Sequence, residues 1–92
     1  MFWIVCYDIV NNKRRRKVVK IMESYGQRAQ YSVFECDISD REQMTLEGRL
    51  SQVIDEDEDD VRFYPLNQGD VKRVRTLGKH ARLHFLNDSE II

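Results

Sequence analysis

The residues of this chain that could do chemistry lie close together near the N-terminus. Asp8 follows seven uncharged residues, Met1 to Tyr7, and five consecutive basic residues occupy positions Lys13 to Lys17. One carboxylate flanked by cations suits the binding of a divalent metal ion together with a phosphate chain. The alternative is structural: Asp8 would only cap the loop and the helix that follow it, because well-placed carboxylates also serve structure.

A strand and a helix must position these side chains. Residues 2–7 form a short apolar run rich in aromatic and β-branched residues, which predicts a central strand buried on both faces. Asp8 would then lie where this strand leaves the core, and the basic run would open the next element beside it.

That next element is predicted to be a helix from about Lys13 to Tyr25. Asn11 or Asn12 is a suitable N-cap, and Gly26 stands where helices commonly end in a left-handed residue. The apolar positions that repeat at helical spacing are Val18, Ile21, Met22 and Tyr25. Because the helix dipole favours acids in the first turn, arginines there indicate a nearby anion, although a solvated basic face is the alternative.

The formal net charge of −1 hides a strong separation of charge along the chain. Between residues 11 and 30 a single acid stands against seven cations: Lys13, Arg14, Arg15, Arg16, Lys17, Lys20 and Arg28. Between residues 35 and 60 eleven acids stand against two arginines, and residues 72–82 are basic again. A local nucleic-acid face is compatible with this pattern, because the field is set by the patch rather than by the sum.

Length and composition are typical of one soluble globular domain. The chain has 92 residues, of which 41% are hydrophobic and 34% are charged. A core of this size is thin, so oligomerisation often helps. No window approaches the roughly 20 apolar residues of a membrane span, and the N-terminal run lacks signal-peptide features, so we expect a cytoplasmic protein without membrane contact.

The middle of the chain predicts strands and a second helix. Residues 27–38 are expected to form two strands with a bend near Tyr31 and Ser32, or else one longer bulged strand. Ser39 and Glu42 form a capping-box pattern that begins a helix from about residue 40 to residue 54.

The C-terminal part carries weaker signals. Residues 61–66 predict a strand that Pro65 confines to an edge or a strand end. Gly69 and Asp70 are expected to turn the chain, and residues 74–77 to add a short strand. His80 and His84 are interpreted as surface histidines, because a zinc site needs three or four good ligands.

Two other clusters are assigned no chemistry. The six consecutive acids at 55–60 lack the spaced ligands of a calcium loop and are interpreted as a solvated loop tip. Cys6 and Cys36 fall in predicted strands without metal-site spacing, so we interpret them as reduced core residues.

The order strand, helix, strand, strand, helix, strand predicts an α+β fold of the ferredoxin-like βαββαβ type with an extra C-terminal strand. Two helices would cover one face of an antiparallel sheet. Because residues 2–9 and 33–38 are apolar on both sides, we expect a second copy of the chain to cover the other face in a homodimer. The domain would span residues 1–78, and a tail at 79–92 would dock on the partner copy.

Several short motifs together resemble the CRISPR-associated protein 2 family. They are YDI at 7–9, the basic start of the first helix, YGQRAQYSVFECDIS at 25–39 and FYPL at 63–66. The resemblance covers residues 1 to about 77, and its QYSVFEC core is more specific than a single short motif. It implies a homodimeric, metal-dependent endonuclease on RNA or DNA. It also implies a bridge between two dimers of CRISPR-associated protein 1, the integrase, during spacer acquisition.

The resemblance also implies roles for residues at matching positions. Asp8 matches the family's metal-dependent nuclease residue, so Mg²⁺ or another divalent ion would be held between Asp8 and its copy across the dimer axis. Arg28 matches the arginine that opens the family's second strand. The arginines of the family's first helical turn match residues within Arg14 to Arg16, in either of two alignments that differ by one position. Lys17, which continues the basic run, is included among the expected nucleic-acid contacts. They are Tyr7, Arg14, Arg15, Arg16, Lys17, Arg28 and Phe34.

Three alternative functions stand beside this one. The cations could grip duplex DNA without reading its sequence, making the protein a scaffold in which Asp8 is dispensable. No histidine or second acid is evident as a general base, which favours the scaffold slightly. A related toxin-type ribonuclease would share the fold, but the SVFEC core and the basic helix favour the CRISPR branch. A small-molecule regulatory domain fits least, because the chain lacks a glycine-rich ligand loop.

Overall fold

The apolar N-terminal run forms a central strand, as its sequence predicts. In the computed structural model, which describes residues 1–78, the strands are β1 (Phe2–Asp8), β2 (Gln27–Gln30), β3 (Val33–Asp37) and β4 (Asp60–Leu66). They form one sheet in the order β2-β3-β1-β4, and every neighbouring pair is antiparallel. With helices α1 (Asn12–Glu23) and α2 (Asp40–Ser51) between the strands, this is the ferredoxin-like arrangement.

Local capping explains where the two helices begin. The side chain of Asn11 accepts a hydrogen bond from the backbone N–H of Arg14 at 2.9 Å and so caps α1. Ser39 and Glu42 form the predicted capping box at the start of α2. Both helices end before the predicted residue. The apolar stripes run on to Tyr25 and Val53, which pack on the core from the turns after the helices, so the stripes overstated the helix lengths.

The core lies between the helices and one face of the sheet. Val5 and Tyr7 of β1 alternate toward this face, and Phe34 lies opposite Val5 in register. The buried residues of the core, including Ile9 and Ile38 directly after β1 and β3, are Val5, Tyr7, Ile9, Val18, Met22, Phe34, Cys36, Ile38, Leu46 and Leu50. Burial raises the pKa of the Cys36 thiol to about 11, which agrees with an inert, reduced core cysteine.

The other face of the sheet, called the open face below, is the one turned away from the core that α1 and α2 cover. By strand alternation it receives Phe2, Ile4, Cys6 and Asp8 from β1. Ile4 lies opposite Glu35 of β3 and Tyr64 of β4. In its middle this face therefore carries Ile4 between an acidic and an aromatic residue, while Asp8 lies at one end of it. Cys6 is half-buried there rather than in the core.

Residues 27–38 form a hairpin of two strands rather than one longer bulged strand. Residues 31 and 32 form the turn between β2 and β3, and the register shifts between Arg28 and Gln30. Gly26, which precedes the hairpin, is not left-handed as expected, since the only described glycine with positive φ is Gly78. Its lack of a side chain instead allows close approach to β3: an added Cβ would overlap the carbonyl oxygen of Glu35 and lie 2.5 Å from Cys36 Sγ.

The C-terminal part of the described chain differs from the prediction. A short helix, α3 (Gln68–Arg73), replaces the turn expected at Gly69 and Asp70. Asn67 caps it through a 2.8 Å hydrogen bond from the backbone N–H of Asp70, and Val71 is buried beneath it. Residues 74–77 pair with none of the strands of residues 1–78, so the extra C-terminal strand is not formed within this part of the chain.

Two further expectations concern the edge of the sheet and the tail. Pro65 lies in β4, an edge strand, as predicted. No helix in residues 1–78 has the length and apolar character that a bilayer crossing needs. The tail at 79–92, with His80 and His84, lies outside the described residues.

Candidate metal and nucleic-acid site

Asp8 is the last residue of β1, and its side chain is exposed at the end of the open face. Its partner across the β1–β4 pair is Asp60, directly opposite in register. Opposed residues of an antiparallel pair have Cβ atoms about 4.5–5.5 Å apart, so a second carboxylate of the same chain lies beside Asp8. Sequence reasoning missed Asp60 because it is hidden in the run of six acids; only the strand register singles it out.

Asp60, the second carboxylate, forms an ion pair with Arg62 at the surface. Arg62 Nε lies 2.9 Å from Asp60 Oδ2, and both side chains are more than half exposed. Hydrogen bonds to Tyr64 and then to Asp60 raise the pKa of Arg62. An exposed ion pair of this kind contributes little stability, so Asp60 can exchange Arg62 for another cation at little cost.

The donor set at this end of the sheet fits Mg²⁺. Carboxylate oxygens are its preferred protein ligands, and the ion usually keeps several waters beside one or two carboxylates. Residues 1–78 contain no group of three or more potential metal-ligating side chains. Asp8 and Asp60 could therefore hold an ion only with water, a substrate phosphate or a second copy of the chain completing the coordination.

Arg14, predicted to contact nucleic acid, instead forms its side-chain hydrogen bonds with acidic residues of the same chain. Its Nε lies 2.8 Å from Asp59 Oδ2, and its Nη2 lies 3.3 Å from Asp59 Oδ1 and 2.9 Å from Glu58 Oε2. The bond to Asp59 is also the main cause that raises the pKa of Arg14 and lowers that of Asp59. The expectation of a phosphate contact is thus corrected: the guanidinium holds an acidic loop against α1.

The acidic run is exposed at Glu56, Asp57, Glu58 and Asp60, as predicted for a solvated loop tip, but Asp59 departs from that prediction. The Asp59 side chain has 0% of its surface exposed. It accepts hydrogen bonds from the backbone N–H groups of Val10 at 3.0 Å and Asp55 at 2.9 Å. The run is therefore folded around a buried carboxylate, because its negative charge is balanced by Arg14 and by these backbone donors.

The Arg15 side chain also forms hydrogen bonds within the chain. Its Nε and Nη2 donate to the carbonyl oxygen of Ile9 at 3.2 and 2.8 Å, and Nη2 reaches the carbonyl oxygen of Val10 at 3.3 Å. The guanidinium thus binds the segment that directly follows Asp8, which reduces its capacity for phosphate.

Of the seven cations between residues 11 and 30, those that stay exposed are Lys13, Arg16, Lys17, Lys20 and Arg28. An open groove between α1 and β2 is lined by Asn12, Arg15, Arg16, Val19, Lys20, Glu23 and Arg28. Three of the lining side chains, Arg16, Lys20 and Arg28, combine positive charge with exposure. The structure therefore brings part of the predicted basic set together, on the helical side of the β2 edge.

Tyr7 and Phe34, two other predicted contacts, lie in the core. Phe34 has 0% of its surface exposed and Tyr7 only 5%. The Tyr7 hydroxyl donates to the carbonyl oxygen of Tyr31 at 3.1 Å, and the Arg28 guanidinium lies 5.6 Å from the centre of the Phe34 ring. The expectation of direct nucleic-acid contact is corrected for both: Tyr7 holds the hairpin turn, and Phe34 supports Arg28 from beneath.

Comparison with known protein families gives a consistent result. The model of a family described as CRISPR associated protein Cas2 matches residues 1–74. A relative from Synechocystis sp., named CRISPR-associated endoribonuclease Cas2 3, is 40% identical over 77 residues, covering 84% of each chain. A relative from Halalkalibacterium halodurans, named CRISPR-associated endonuclease Cas2, is 36% identical over 83 residues, covering 85% of this chain and 86% of that one.

Solved structures agree with the sequence comparison. The crystal structure of Streptococcus pyogenes Cas2 at pH 6.5 superposes with a TM-score of 0.76 at 43% identity, covering 85% of this chain and 100% of that one. A chain of a structure described as a partial Cas6-RT-Cas1–Cas2 complex superposes with a TM-score of 0.72 at 31% identity, covering 83% of this chain and 89% of that one.

Proposed function

We propose, because this chain belongs to the CRISPR-associated protein Cas2 family, that it acts in CRISPR spacer acquisition as a metal-dependent endonuclease-type subunit. The observation that carries the proposal is the exposed Asp8 at the end of β1, with Asp60 opposite it in register. The names endoribonuclease and endonuclease among the relatives support the reaction class. The substrate would be RNA or double-stranded DNA.

The chain's own residues would divide the work between binding the ion and binding the substrate. Asp8 and Asp60 would hold Mg²⁺ or another divalent ion. When bound, the ion would offset charge that develops on the scissile phosphate and lower the pKa of a water molecule. Arg16, Lys20 and Arg28 would bind phosphates of the strand, since guanidinium and ammonium groups suit that contact.

A homodimer would complete this site. The middle of the open face, with Ile4 between Glu35 and Tyr64, would be covered by the same face of a second copy. Each copy would bring its own Asp8 to one end of the interface. Carboxylates brought close in this way repel each other without a cation, so metal binding and dimer geometry would be coupled.

The integrase Cas1 is the proposed protein partner. Support comes from the structural relative in the Cas6-RT-Cas1–Cas2 complex, which shares this fold. In this assembly the exposed cations of α1 and β2 would face duplex DNA, where phosphate contacts position the protein without reading sequence.

Replacing Asp8 tests the catalytic part of the proposal. Asp8→Asn should abolish Mg²⁺-dependent cleavage of RNA or duplex DNA and leave duplex affinity, measured by fluorescence anisotropy, close to wild type. Asp57→Asn, which removes an exposed carboxylate of the acidic run, is the matched control and should cleave at the wild-type rate. Cleavage by Asp8→Asn at full rate would refute the assignment. Sedimentation velocity on the same samples should show a dimer.

A scaffold role is the second candidate. The exposed cations favour it, because they could hold a duplex between integrase dimers whether or not Asp8 cleaves anything. The two candidates separate in a spacer-acquisition assay. If Asp8→Asn loses cleavage but acquires spacers normally, the scaffold role is primary.

A further inference from the structure

We propose that Asp59, a buried carboxylate that does not face the site, is a positioning residue that fixes the backbone beyond Asp8 and thereby sets the distance between Asp8 and Asp60. This inference rests on the proposed function, since it concerns the same pair of carboxylates. It assigns the acidic run a role as part of the site's support.

The contacts of Asp59 use all of its hydrogen-bonding capacity. Oδ1 accepts from the backbone N–H of Val10 at 3.0 Å and from Arg14 Nη2 at 3.3 Å. Oδ2 accepts from Arg14 Nε at 2.8 Å and from the backbone N–H of Asp55 at 2.9 Å. An ionised carboxylate offers about four acceptor sites, and here four donors occupy them.

These four bonds join three parts of the chain that meet at the site. Val10 lies two residues beyond Asp8, Arg14 is on α1, and Asp55 begins the run that leads into β4. Residue 60, which follows Asp59 directly, is the residue opposite Asp8 in the sheet. One side chain therefore connects the segment after one site carboxylate to the start of the strand that carries the other.

Arg15 binds the same segment, residues 9 and 10, through its carbonyl oxygens rather than its N–H groups. It binds the carbonyl oxygens of Ile9 and Val10, while Asp59 binds the N–H of Val10. Metal ligands must be held to within about half an ångström by such supporting bonds. Loss of supporting partners typically costs about 10- to 100-fold in metal affinity or activity, so loss of the Asp59 contacts should be measurable as weaker metal binding.

Asparagine is the informative replacement because it keeps the shape of Asp59 and removes half of its acceptor capacity. Its amide has one oxygen, so two of the four donors would face an NH₂ group in either orientation. Glu58 provides the matched control: it is the preceding residue, it carries the same charge, and it meets only Arg14, at 2.9 Å and with 54% of its side chain exposed. Glu58→Gln should therefore leave the site in place.

The experiment uses Mn²⁺ as the probe and the full-length protein. Titration monitored by electron paramagnetic resonance should give a half-saturating Mn²⁺ concentration at least about tenfold higher for Asp59→Asn than for wild type or Glu58→Gln. Hydrogen exchange should be faster in Asp59→Asn alone, at the Val10 amide or at the Asp55 amide, whichever of the two faces the NH₂ group. Duplex affinity in EDTA should match wild type, because Asp59 does not face the basic groove.

Arg14→Lys provides a second variant for the case in which Asp59→Asn does not fold. Lysine keeps the charge but cannot make the paired Nε and Nη2 contacts, so it should shift Mn²⁺ binding in the same direction by a smaller factor. A folded variant, checked by circular dichroism, that binds Mn²⁺ like wild type would overturn the positioning role. Absence of Mn²⁺ binding to the wild-type protein would overturn the proposed metal site, and the positioning role with it.

Discussion

Replacing Phe34 with leucine separates a core role from a nucleic-acid role for this residue. The resemblance of the QYSVFEC segment to its family implied a nucleic-acid contact, whereas the structure buries Phe34 completely. The ring centres of Phe34 and Tyr7 lie 6.2 Å apart, and the Arg28 guanidinium lies 5.6 Å from the Phe34 ring centre. Both contacts are lost in leucine, while most of the buried volume is retained.

The two roles predict different magnitudes in different measurements. The aromatic pair contributes about 0.5–1.5 kcal/mol and the cation–π contact about 0.5–1 kcal/mol, so Phe34→Leu should lower the free energy of unfolding by roughly 1–2.5 kcal/mol. If Phe34 instead stacked on a base, its loss would cost about 1–3 kcal/mol of binding free energy. That would weaken duplex binding by about 5- to 150-fold, a change that a stability effect cannot mimic in folded protein.

The assay pairs urea unfolding, followed by circular dichroism, with duplex binding followed by fluorescence anisotropy. Protein concentration must be equal across variants, because the stability of a dimer depends on it. Val5→Ala is the matched control: Val5 is fully buried opposite Phe34, and losing two methyl groups costs roughly 1.5–2.5 kcal/mol. Both variants should bind duplex within about twofold of wild type. Unchanged stability of Phe34→Leu with tenfold weaker binding would refute the core assignment.

Two further predictions concern charge. The logarithm of the duplex association constant should fall linearly with the logarithm of salt concentration. Arg16→Gln should make that slope shallower by about 0.9, the loss of one phosphate contact, whereas Arg14→Gln should leave it near wild type. Equal slopes in anisotropy titrations of the two variants would contradict this division. The hydrogen bonds from Ser39 lower the pKa of Glu42 below its ordinary value of 4.5, so the carboxylate stabilises the fold above that pH, and its contribution is lost as pH falls below it. Glu42→Ala should therefore lower Tm more at about pH 7 than at about pH 3, and an equal shift at both would be evidence against the capping role.

The elements that the sequence predicted correctly are those whose signals are local. The strand at residues 2–8 follows from one uninterrupted apolar run, and the start of α2 follows from Ser39 and Glu42, three residues apart. The central place of β1 and the edge place of β4 follow from burial on both faces and from Pro65. In each case a few neighbouring residues carry the energetic reason, so no knowledge of distant contacts was needed.

The features that the sequence could not predict depend on pairs far apart along the chain. Arg14 and Asp59 are separated by 45 residues, and nothing near either residue indicates the other. The same holds for the register that places Asp60 opposite Asp8. A run of six acids reads as uniformly solvated, because sequence alone does not show which member meets a cation and two backbone donors. The sequence therefore predicted the place of Asp8 at the exposed end of β1, while its role in a site stays a prediction, and neither the opposed Asp60 nor the contacts of Asp59 were anticipated.

The arginines at the start of α1 show how this missing information changes the functional interpretation. The first turn of α1 contains no acid, so the helix dipole disfavours the three consecutive cations there. Arg14 is compensated by Asp59 and Glu58, and Arg15 by two carbonyl oxygens. Lys13 stays exposed in the first turn, and Arg16 is exposed at the start of the second. Two of the three cations are thus balanced within the fold and need no external anion. The capacity for phosphate then resides in Arg16 and the exposed lysines beside it, together with Arg28, so a nucleic acid bound there should lie along the α1–β2 groove rather than across the loop that follows Asp8.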